Sequence, residues 1–238
     1  MRSNVRFTLV RPRNPNNIAA CARAIANFGF DELAAVDPYP PIWKEAKAAV
    51  GAEDVLERAQ AVTLDAALSD GCVILGTQDG PSKAGPPTID LPILADWLST
   101  RLPQRGKLVV LFGSEKTGLS NQELERCHAV VRIPTDEKCS SMNLSQAVAV
   151  VAYELSRRSS RAREKKIEAM TDAHRERFVR QGVLLCRTLG YGGGQADRKI
   201  ADNFRRLLLR RPLSKTEAAV LSPLLLRMLT KTDSRAKL

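Results

Sequence analysis

A glycine pair after an apolar run is the first feature of this 238-residue sequence that could carry chemistry. The stretch "LVVLFGSEKTGLS" (108–120) places four residues between Gly113 and Gly118, as in the phosphate loop G-x-x-x-x-G-K-[ST]. Leu119 stands where that loop has its lysine, and Glu115 would repel phosphates. Nucleotide triphosphate hydrolysis is therefore disfavoured. Two interpretations stay open: a tight strand-to-helix turn, or glycines that bring the backbone close to a ligand or another chain, with Glu115 as a polar group there.

A cluster of small polar residues is the second feature. In "RIPTDEKCSSMNLSQAVAVVAYEL" (132–155) a strand-like run ends at Ile133, and Ser140, Ser141 and Asn143 precede a strongly apolar helix. One such residue suffices as a helix cap. A cluster at the carboxyl end of a parallel strand is also where open α/β sheets bind ligands. Capping and ligand binding are both compatible with the pattern.

An arginine on the first predicted helix is the third feature. Within "NNIAACARAIANFG" (16–29), Arg23 shares one helix face with Asn16, Ala20 and Asn27. An arginine among small residues can reach a phosphate or an acidic partner. A plain surface arginine fits the same spacing.

Histidine, cysteine and metal chemistry find little support in the sequence. The two histidines are His128 and His174, and His128 is expected to be structural or solvated. The five cysteines include no C-x-x-C pair, which argues against a disulfide framework and a zinc site. The apolar runs are too short to span a bilayer, and no signal-peptide pattern opens the chain. We therefore expect a cytoplasmic protein without a membrane partner or a metal.

The positive charge is concentrated in the last third of the chain. The net charge is +11, but residues 1–156 hold 16 basic and 18 acidic residues. Residues 157–166, "RRSSRAREKK", hold six basic residues and one acidic residue, and residues 167–238 hold 15 and seven. This asymmetry predicts a near-neutral body with a basic extension that binds a polyanion such as nucleic acid, the alternative being a solvated charged helix face.

Strand-like and helix-like segments alternate up to residue 156. Continuous apolar strands alternating with helices predict a parallel sheet covered by helices on both faces. After about residue 170 the sequence shows helices only. We predict domains at 1–156 and 171–238 joined by a basic helical linker at 157–170. The strands are predicted at 5–10, 33–36, 72–77, 107–113 and 129–133, and the helices of the first domain at 16–29, 43–49, 64–69, 92–102, 121–126 and 144–155.

The three features together resemble a known family. "NIAACARAIANFG", "LFGSEKTGLSNQEL" and "IPTDEKCSSMNLSQAVAV", in this order and spacing, are similar to the signature motifs of the SPOUT methyltransferases, and most similar to the TrmJ group of tRNA ribose 2′-O-methyltransferases. The resemblance spans residues 5–156. It continues more weakly into the tail, where "LGYGGG" and the segment after it resemble that group's helical C-terminal extension.

The resemblance implies a trefoil knot, a homodimer with sites at its interface, and S-adenosylmethionine as methyl donor. It implies 2′-O-methylation of cytidine or uridine at position 32 of the tRNA anticodon loop. It places catalytic roles on Asn17, Arg23, Glu115, Ser141 and Asn143. The cofactor-binding residues that it implies are Thr77, Gln78, Asp79, Gly113, Ile133, Ser140, Ser141, Met142, Asn143 and Leu144.

The expected mechanism centres on Arg23. Arginine is a poor base, so Arg23 is expected to anchor a phosphate and stabilise the developing alkoxide, while Asn143, Ser141 and Glu115 orient it and the ribose. The sulfonium of the donor is already reactive, so no metal is needed. The residues expected to bind RNA are Arg23, Lys83, Arg157, Arg158, Arg161, Arg163, Arg205, Arg206, Arg210 and Arg211.

Two departures from the family pattern stand out. Ala19 replaces a usual glycine, which a helix tolerates well. The segment "TQDGPSKAG" (77–85) lacks a usual arginine, for which Lys83 is the nearest substitute. Methylation of ribosomal RNA, or RNA binding without catalysis on the same fold, are the alternatives that the sequence leaves open.

Overall fold

Seven parallel β-strands form the central sheet of the computed structural model, which describes residues 4–39, 49–80, 85–103, 105–157, 170–210 and 213–235. The strand order is β3-β2-β1-β6-β4-β7-β5, and every pairing is parallel. The strands are β1 (Val5–Val10), β2 (Glu32–Val36), β3 (Gln60–Val62), β4 (Gly71–Thr77), β5 (Thr88–Asp90), β6 (Lys107–Phe112) and β7 (Ala129–Arg132).

Nine α-helices are present in the described ranges. Six belong to the sheet-containing part of the chain: α1 (Pro15–Asn27), α2 (Glu53–Arg58), α3 (Leu64–Leu68), α4 (Leu94–Ser99), α5 (Asn121–Leu124) and α6 (Leu144–Arg157). Three follow it: α7 (Asp172–Thr188), α8 (Gln195–Arg210) and α9 (Lys215–Arg235). None of the described helices is both long enough and apolar enough to cross a membrane.

Alternating residues of the central strands feed two apolar cores. On β6, Leu108, Val110 and Phe112 pack into the core that contains α1 and α6. Val109 and Leu111 pack into a second core on the opposite face, with residues of α3. Because successive strand residues point to opposite faces, a strand that is apolar throughout requires cover on both sides. The predicted parallel sheet with helices on both faces is confirmed.

The first helix begins at Pro15, one residue before the predicted start. Asn14 is its N-cap, and the Asn14 side chain accepts the Asn16 N–H. Pro15 occupies the first helical position, where its missing N–H costs nothing. The helix ends before Gly29, whose φ of 76° suits glycine. Because Asn14 serves as the cap, the side chain of Asn17 is available for tertiary contacts.

Three short elements were not predicted from the sequence. Strands β3 and β5 have three residues each, and helix α2 has six. Both strands lie at edges of the sheet, so their apolar runs are short and partly exposed. The predicted helix at 92–102 is shorter, with a 3₁₀ turn before α4. The helix predicted at 43–49 lies almost wholly outside the described residues.

Reciprocal side-chain caps begin helices α5 and α9. Ser120 and Glu123 form a reciprocal capping box at the start of α5. At the start of α9 the Ser214 N–H donates to the Glu217 carboxylate at 2.7 Å, and the Glu217 N–H donates to the Ser214 hydroxyl at 3.2 Å. Each pair satisfies helix N–H groups that have no partner inside the helix.

The C-terminal tail comprises helices α7 to α9 (172–235), and α7 packs against the amino edge of the sheet. The Ala173 N–H of α7 donates to the Ser69 carbonyl, just before β4. Arg175 is buried, donates to Asp172 at 2.8 Å, and its guanidinium lies 3.0 Å from His128 Nε2, just before β7. Arg126 joins the same cluster through Asp172 at 2.6 Å. These contacts of α7 all lie at the amino edge of the sheet, beside the starts of β4 and β7.

The strand order also bears on the expected trefoil knot. Strand β7 lies between β4 and β5, which follow one another among the strands of the chain. The connection between β4 and β5 must therefore pass over β7, and residues 81–84 of that connection lie outside the described residues. This order is consistent with a knotted C-terminal half. The threading itself stays a prediction.

Candidate active site

A cleft of about 420 Å³ opens at the carboxyl edge of the sheet. The loops that follow β4, β6 and β7 form its walls, as expected for ligand sites in open parallel sheets. Of the residues expected to bind the cofactor, all except Asn143 line it: Thr77, Gln78, Asp79, Gly113, Ile133, Ser140, Ser141, Met142 and Leu144. Segments that are distant in sequence thus meet around one cavity.

The loop from Gly113 to Gly118 closes on itself. The Gly118 N–H donates to the Ser114 carbonyl at 2.8 Å, and the two residues form an isolated antiparallel bridge. A Cβ at Gly113 would overlap the backbone of Gly118 and Leu119. Gly118 has a φ of 64° and open space around its Cα. Gly113 is therefore required for the turn itself, and because it also lines the cleft, a role beside a ligand stays a prediction.

A chain of hydrogen bonds joins the three motifs at the cleft. The Asn17 side-chain amide donates to Glu115 Oε1 at 2.9 Å, and the Asn143 amide donates to Asn17 Oδ1 at 3.3 Å. Asn143 Oδ1 in turn accepts the Ser145 N–H at 2.9 Å, so this residue also caps the start of α6. Asn143 therefore caps α6 and also takes part in the chain of hydrogen bonds between the motifs.

Glu115 is held as a carboxylate by the segment before α1. Its oxygens accept the backbone N–H groups of Arg13 at 3.0 Å and Asn14 at 3.4 Å, besides the Asn17 amide. Burial raises the pKa of the Glu115 carboxyl, but these hydrogen bonds outweigh burial, and the pKa lies below its ordinary value. The partners of Glu115 are therefore the backbone before α1 and the side chain of Asn17, whereas the sequence had suggested Arg23.

Arg23 is exposed on α1, away from this chain of hydrogen bonds. Within the described residues Arg23 donates no hydrogen bond, and its charge contributes to a lowered pKa of Glu53, after the N–H groups of Glu53 and Gly51. Ser141 is exposed and lines the cleft. A single chain therefore brings Asn17, Glu115 and Asn143 together and leaves Arg23 exposed.

His128 has a structural role. It is 4 % exposed, and its Nδ1 accepts the Ile74 N–H at 2.9 Å. Burial, and then the charge of Arg175, lower the pKa of His128 well below its ordinary value, so the ring is neutral. It lies at the amino edge of the sheet, far from the cleft, and contacts the tail.

The tail arginines differ in their surroundings. Arg205 donates to Glu176 at 2.8 and 3.0 Å and to Asp202 at 3.0 Å, so its charge is compensated within the tail. Arg206 and Arg210 are exposed and line a small cavity of about 130 Å³. Arg157 is exposed and pairs with Glu154. Lys83, Arg158, Arg161, Arg163 and Arg211 lie outside the described residues.

Several residues of the site were missed by the sequence reasoning. Ser114 and Thr117 line the cleft, and membership of the glycine loop was a signal that could have included them. Arg11 binds Glu123 behind that loop, although 112 residues separate the two. No local pattern marks such a pair. In the described part of the chain, no three metal-ligating side chains form a group that could hold an ion.

The parallel sheet and the cleft formed by the loops after β4, β6 and β7 define the class of protein: an open α/β protein with a cleft at the carboxyl edge of its sheet. Comparison with known proteins then identifies the family. Residues 4–153 match the model of the SpoU rRNA Methylase family, and the chain belongs to that family. This confirms the resemblance to the SPOUT methyltransferases.

Individual relatives share both parts of the chain. The tRNA (cytidine/uridine/adenosine-2′-O-)-methyltransferase TrmJ of Pseudomonas aeruginosa is 32% identical over 94% of this chain and 93% of its own length. The tRNA (cytidine/uridine-2′-O-)-methyltransferase TrmJ of Photorhabdus laumondii is 31% identical over 88% and 90%. The crystal structure of TrmJ from Z. mobilis superimposes with a TM-score of 0.79 at 27% identity, covering 94% of this chain and 98% of that one. The resemblance to the TrmJ group is confirmed.

Proposed function

We propose that this protein transfers a methyl group from S-adenosylmethionine to a ribose 2′-hydroxyl of tRNA, at cytidine or uridine 32 of the anticodon loop. The observation that carries the proposal is the hydrogen-bonded chain Glu115–Asn17–Asn143 at the edge of the cleft. It joins the three family motifs beside the loops that the family uses for the methyl donor. Relatives named as tRNA 2′-O-methyltransferases match nearly the whole chain, tail included.

The cleft suits a ligand with an apolar ring and several polar groups. Its volume of about 420 Å³ falls within the usual range for small-molecule sites. Ile133, Met142 and Leu144 supply apolar surface. Gln78 Oε1 and Ser114 Oγ are buried in the wall, and neither has a hydrogen-bond partner among the described residues. Buried polar groups are normally satisfied, so these two atoms favour a polar ligand that adjusts to them.

The chain's own residues supply orientation and charge stabilisation. S-adenosylmethionine held by the residues of this cleft would supply an electrophilic methyl group for the 2′-oxygen. Asn17, fixed by Glu115 and Asn143, orients the ribose, and the Ser141 hydroxyl assists. Arg23 anchors the adjacent phosphate and stabilises the negative charge that develops on the 2′-oxygen as its proton leaves to water. Arginine side chains are poor bases, so we do not assign proton removal to Arg23.

We also propose that the active unit is a homodimer. Arg23 is exposed, and Glu115 is bound to Asn17 and the backbone of the same chain, so Arg23 is available to a cleft other than its own. The family places its sites at such an interface.

We also propose the division into domains at 1–156 and 171–238, the linker between them and the trefoil knot. Methylation of tRNA places the protein in the cytoplasm.

The test is methyl transfer from labelled S-adenosylmethionine to unmodified tRNA transcripts, with ribosomal RNA transcripts in parallel. We expect tRNA to be methylated, a transcript with a 2′-deoxy sugar at position 32 to be inert, and Arg23→Ala to lose at least about a hundredfold in rate. Methylation of ribosomal RNA alone would replace the substrate. Salt-sensitive tRNA binding without transfer to any RNA would show a binding protein without catalysis.

A further inference from the structure

The backbone at the end of β1 is strained at a residue with no assigned role. Arg11 has a φ of 52° in the left-handed region, which a long side chain seldom adopts. Its N–H donates to the Val36 carbonyl at 2.7 Å, and the neighbouring Asp37 also has a positive φ, of 47°. Such conformations persist where the surroundings impose them, and they concentrate at functional sites.

The side chain of Arg11 is directed to the loop that walls the cleft. Its guanidinium grips both oxygens of Glu123, with Nη2–Oε2 at 3.0 Å, and approaches the Gly118 carbonyl at 3.4 Å. Glu123 is 7% exposed and also accepts the Ser120 N–H at 2.7 Å. Burial raises the pKa of Glu123, but Arg11 and Ser120 outweigh burial and lower it, so the ion pair is intact at neutral pH.

A second grip lies at the other end of the same loop. There Glu115 accepts the N–H groups of Arg13 and Asn14 and the Asn17 amide. The segment 11–17 therefore holds the loop 113–123 at two points, one on either side of the Gly118 turn. The inner side of that loop lines the cleft through Gly113, Ser114 and Gly118. Its position against a bound ligand depends on both grips.

We propose that Arg11 is a positioning residue for the methyl donor: its ion pair with Glu123 sets the wall of the cleft formed by residues 113–120. The proposal rests on the function proposed above. Because Arg11 does not line the cleft, it acts through the loop and makes no contact with the donor. A displaced loop weakens donor binding, whereas the groups on Asn17, Ser141 and Arg23 are unchanged once the donor is bound.

The test uses substitutions that the left-handed backbone accepts. Arg11→Gly removes the side chain and relieves the strain, Arg11→Asn does so with a second tolerant residue, and Arg11→Lys keeps the charge without the two-pronged contact. Arg58→Ala, which removes an exposed ion pair with Asp54 on α2, is the control. Donor affinity is measured by calorimetry on the full-length protein, KM and kcat by methyl transfer, and folding by thermal unfolding.

We expect Arg11→Gly and Arg11→Asn to raise the Kd and the KM for S-adenosylmethionine roughly tenfold, the scale of a lost charge-assisted contact, with kcat at saturating donor within about twofold. Arg11→Lys should recover part of the affinity, and Arg58→Ala should match the wild type. If Arg11→Gly or Arg11→Asn folds with an unchanged Tm and binds the donor with unchanged affinity, the inference is overturned. A fall in kcat without a change in donor affinity overturns it as well. A wild type that binds the donor but methylates no RNA overturns the proposed reaction instead, since the binding comparison stands without it.

Discussion

Asn143 donates a hydrogen bond to Asn17 at 3.3 Å, although 126 residues separate them in the chain. Asn17 passes the connection on to Glu115 through its own amide. The link therefore runs from the helix that carries Arg23 to the turn before α6 and the loop after β6. The arrangement leads to a first prediction about catalysis.

Asn17→Ala should lower kcat by about tenfold to a hundredfold, because it frees Glu115 and Asn143 and removes a group that orients the ribose. Donor affinity should fall less than in the Arg11 variants, because the backbone N–H groups of Arg13 and Asn14 still hold Glu115 in the Asn17 variant. Steady-state methylation of tRNA measures the effect. Asn27→Ala, at the exposed end of the same helix, is the matched control and should retain full activity.

Gly113→Ala should abolish donor binding and reduce stability by about 2–4 kcal/mol, because the new methyl group overlaps the Gly118–Leu119 backbone. Denaturant unfolding and calorimetry measure the two effects. Gly80→Ala, where the structure leaves open space around the Cα, is the comparison and should be neutral. A stable, donor-binding Gly113→Ala protein would contradict the self-closing turn.

The pKa of Glu115 is lowered on folding, so its hydrogen bonds add stability above the unfolded pKa of about 4.3 and lose it as the pH falls through the lower folded value. The free energy of unfolding of the wild type should therefore exceed that of Glu115→Gln at pH 7. The difference should shrink as the pH falls below about 4.3. Urea unfolding of both proteins between pH 7 and pH 3 measures it, and a difference independent of pH would falsify the carboxylate role.

Arg175→Ala should destabilise the docking of the tail by about 3 kcal/mol, because Asp172 stays buried with one of its two arginine partners removed. Arg177→Ala, on the exposed side of α7, should change stability by less than about 0.5 kcal/mol. Donor affinity should be the same in both variants, since the cleft lies at the other edge of the sheet. Chemical unfolding, followed with a spectroscopic probe placed on the tail, measures the stability of tail docking in both variants.

Arg205 and Arg206 are adjacent in sequence and should behave differently. Arg206→Ala should weaken tRNA binding and reduce the slope of log affinity against log salt by about 1 at unchanged Tm. Arg205→Ala should lower the Tm, because Glu176 and Asp202 lose their common partner. Filter binding at several salt concentrations and thermal unfolding distinguish them. Equal salt slopes for Arg206→Ala and the wild type would remove Arg206 from the RNA-binding surface.

The sequence predicted the central strands and the helical tail because their signals are local. Runs such as "CVILGT" and "KLVVLFG" are apolar throughout, and only a strand buried on both faces uses such a run at that length. Strands β3 and β5 gave no comparable signal, since three residues at a sheet edge need little apolar surface.

The sequence named residues that the structure brings together at the cleft, but it did not predict the contacts between them. The motifs named Asn17, Glu115 and Asn143, but their bonding depends on how loops from three strands meet. Arg11 was missed for the same reason, since its partner Glu123 is defined by tertiary structure alone. The sequence left two roles open for Gly113, because a turn that closes on its own backbone and one that lies beside a ligand have the same sequence pattern.

The tail and the cleft occupy opposite edges of one sheet, about 20 Å apart along strands of six or seven residues. His128 and Arg175 belong to one edge, and Thr77 and Gly113 belong to the other. Substitutions that reshape the outer surface of the tail need no compensating change around the methyl donor. The sheet thus separates the residues around the cleft from the tail surface, so a change on one side leaves the contacts on the other in place.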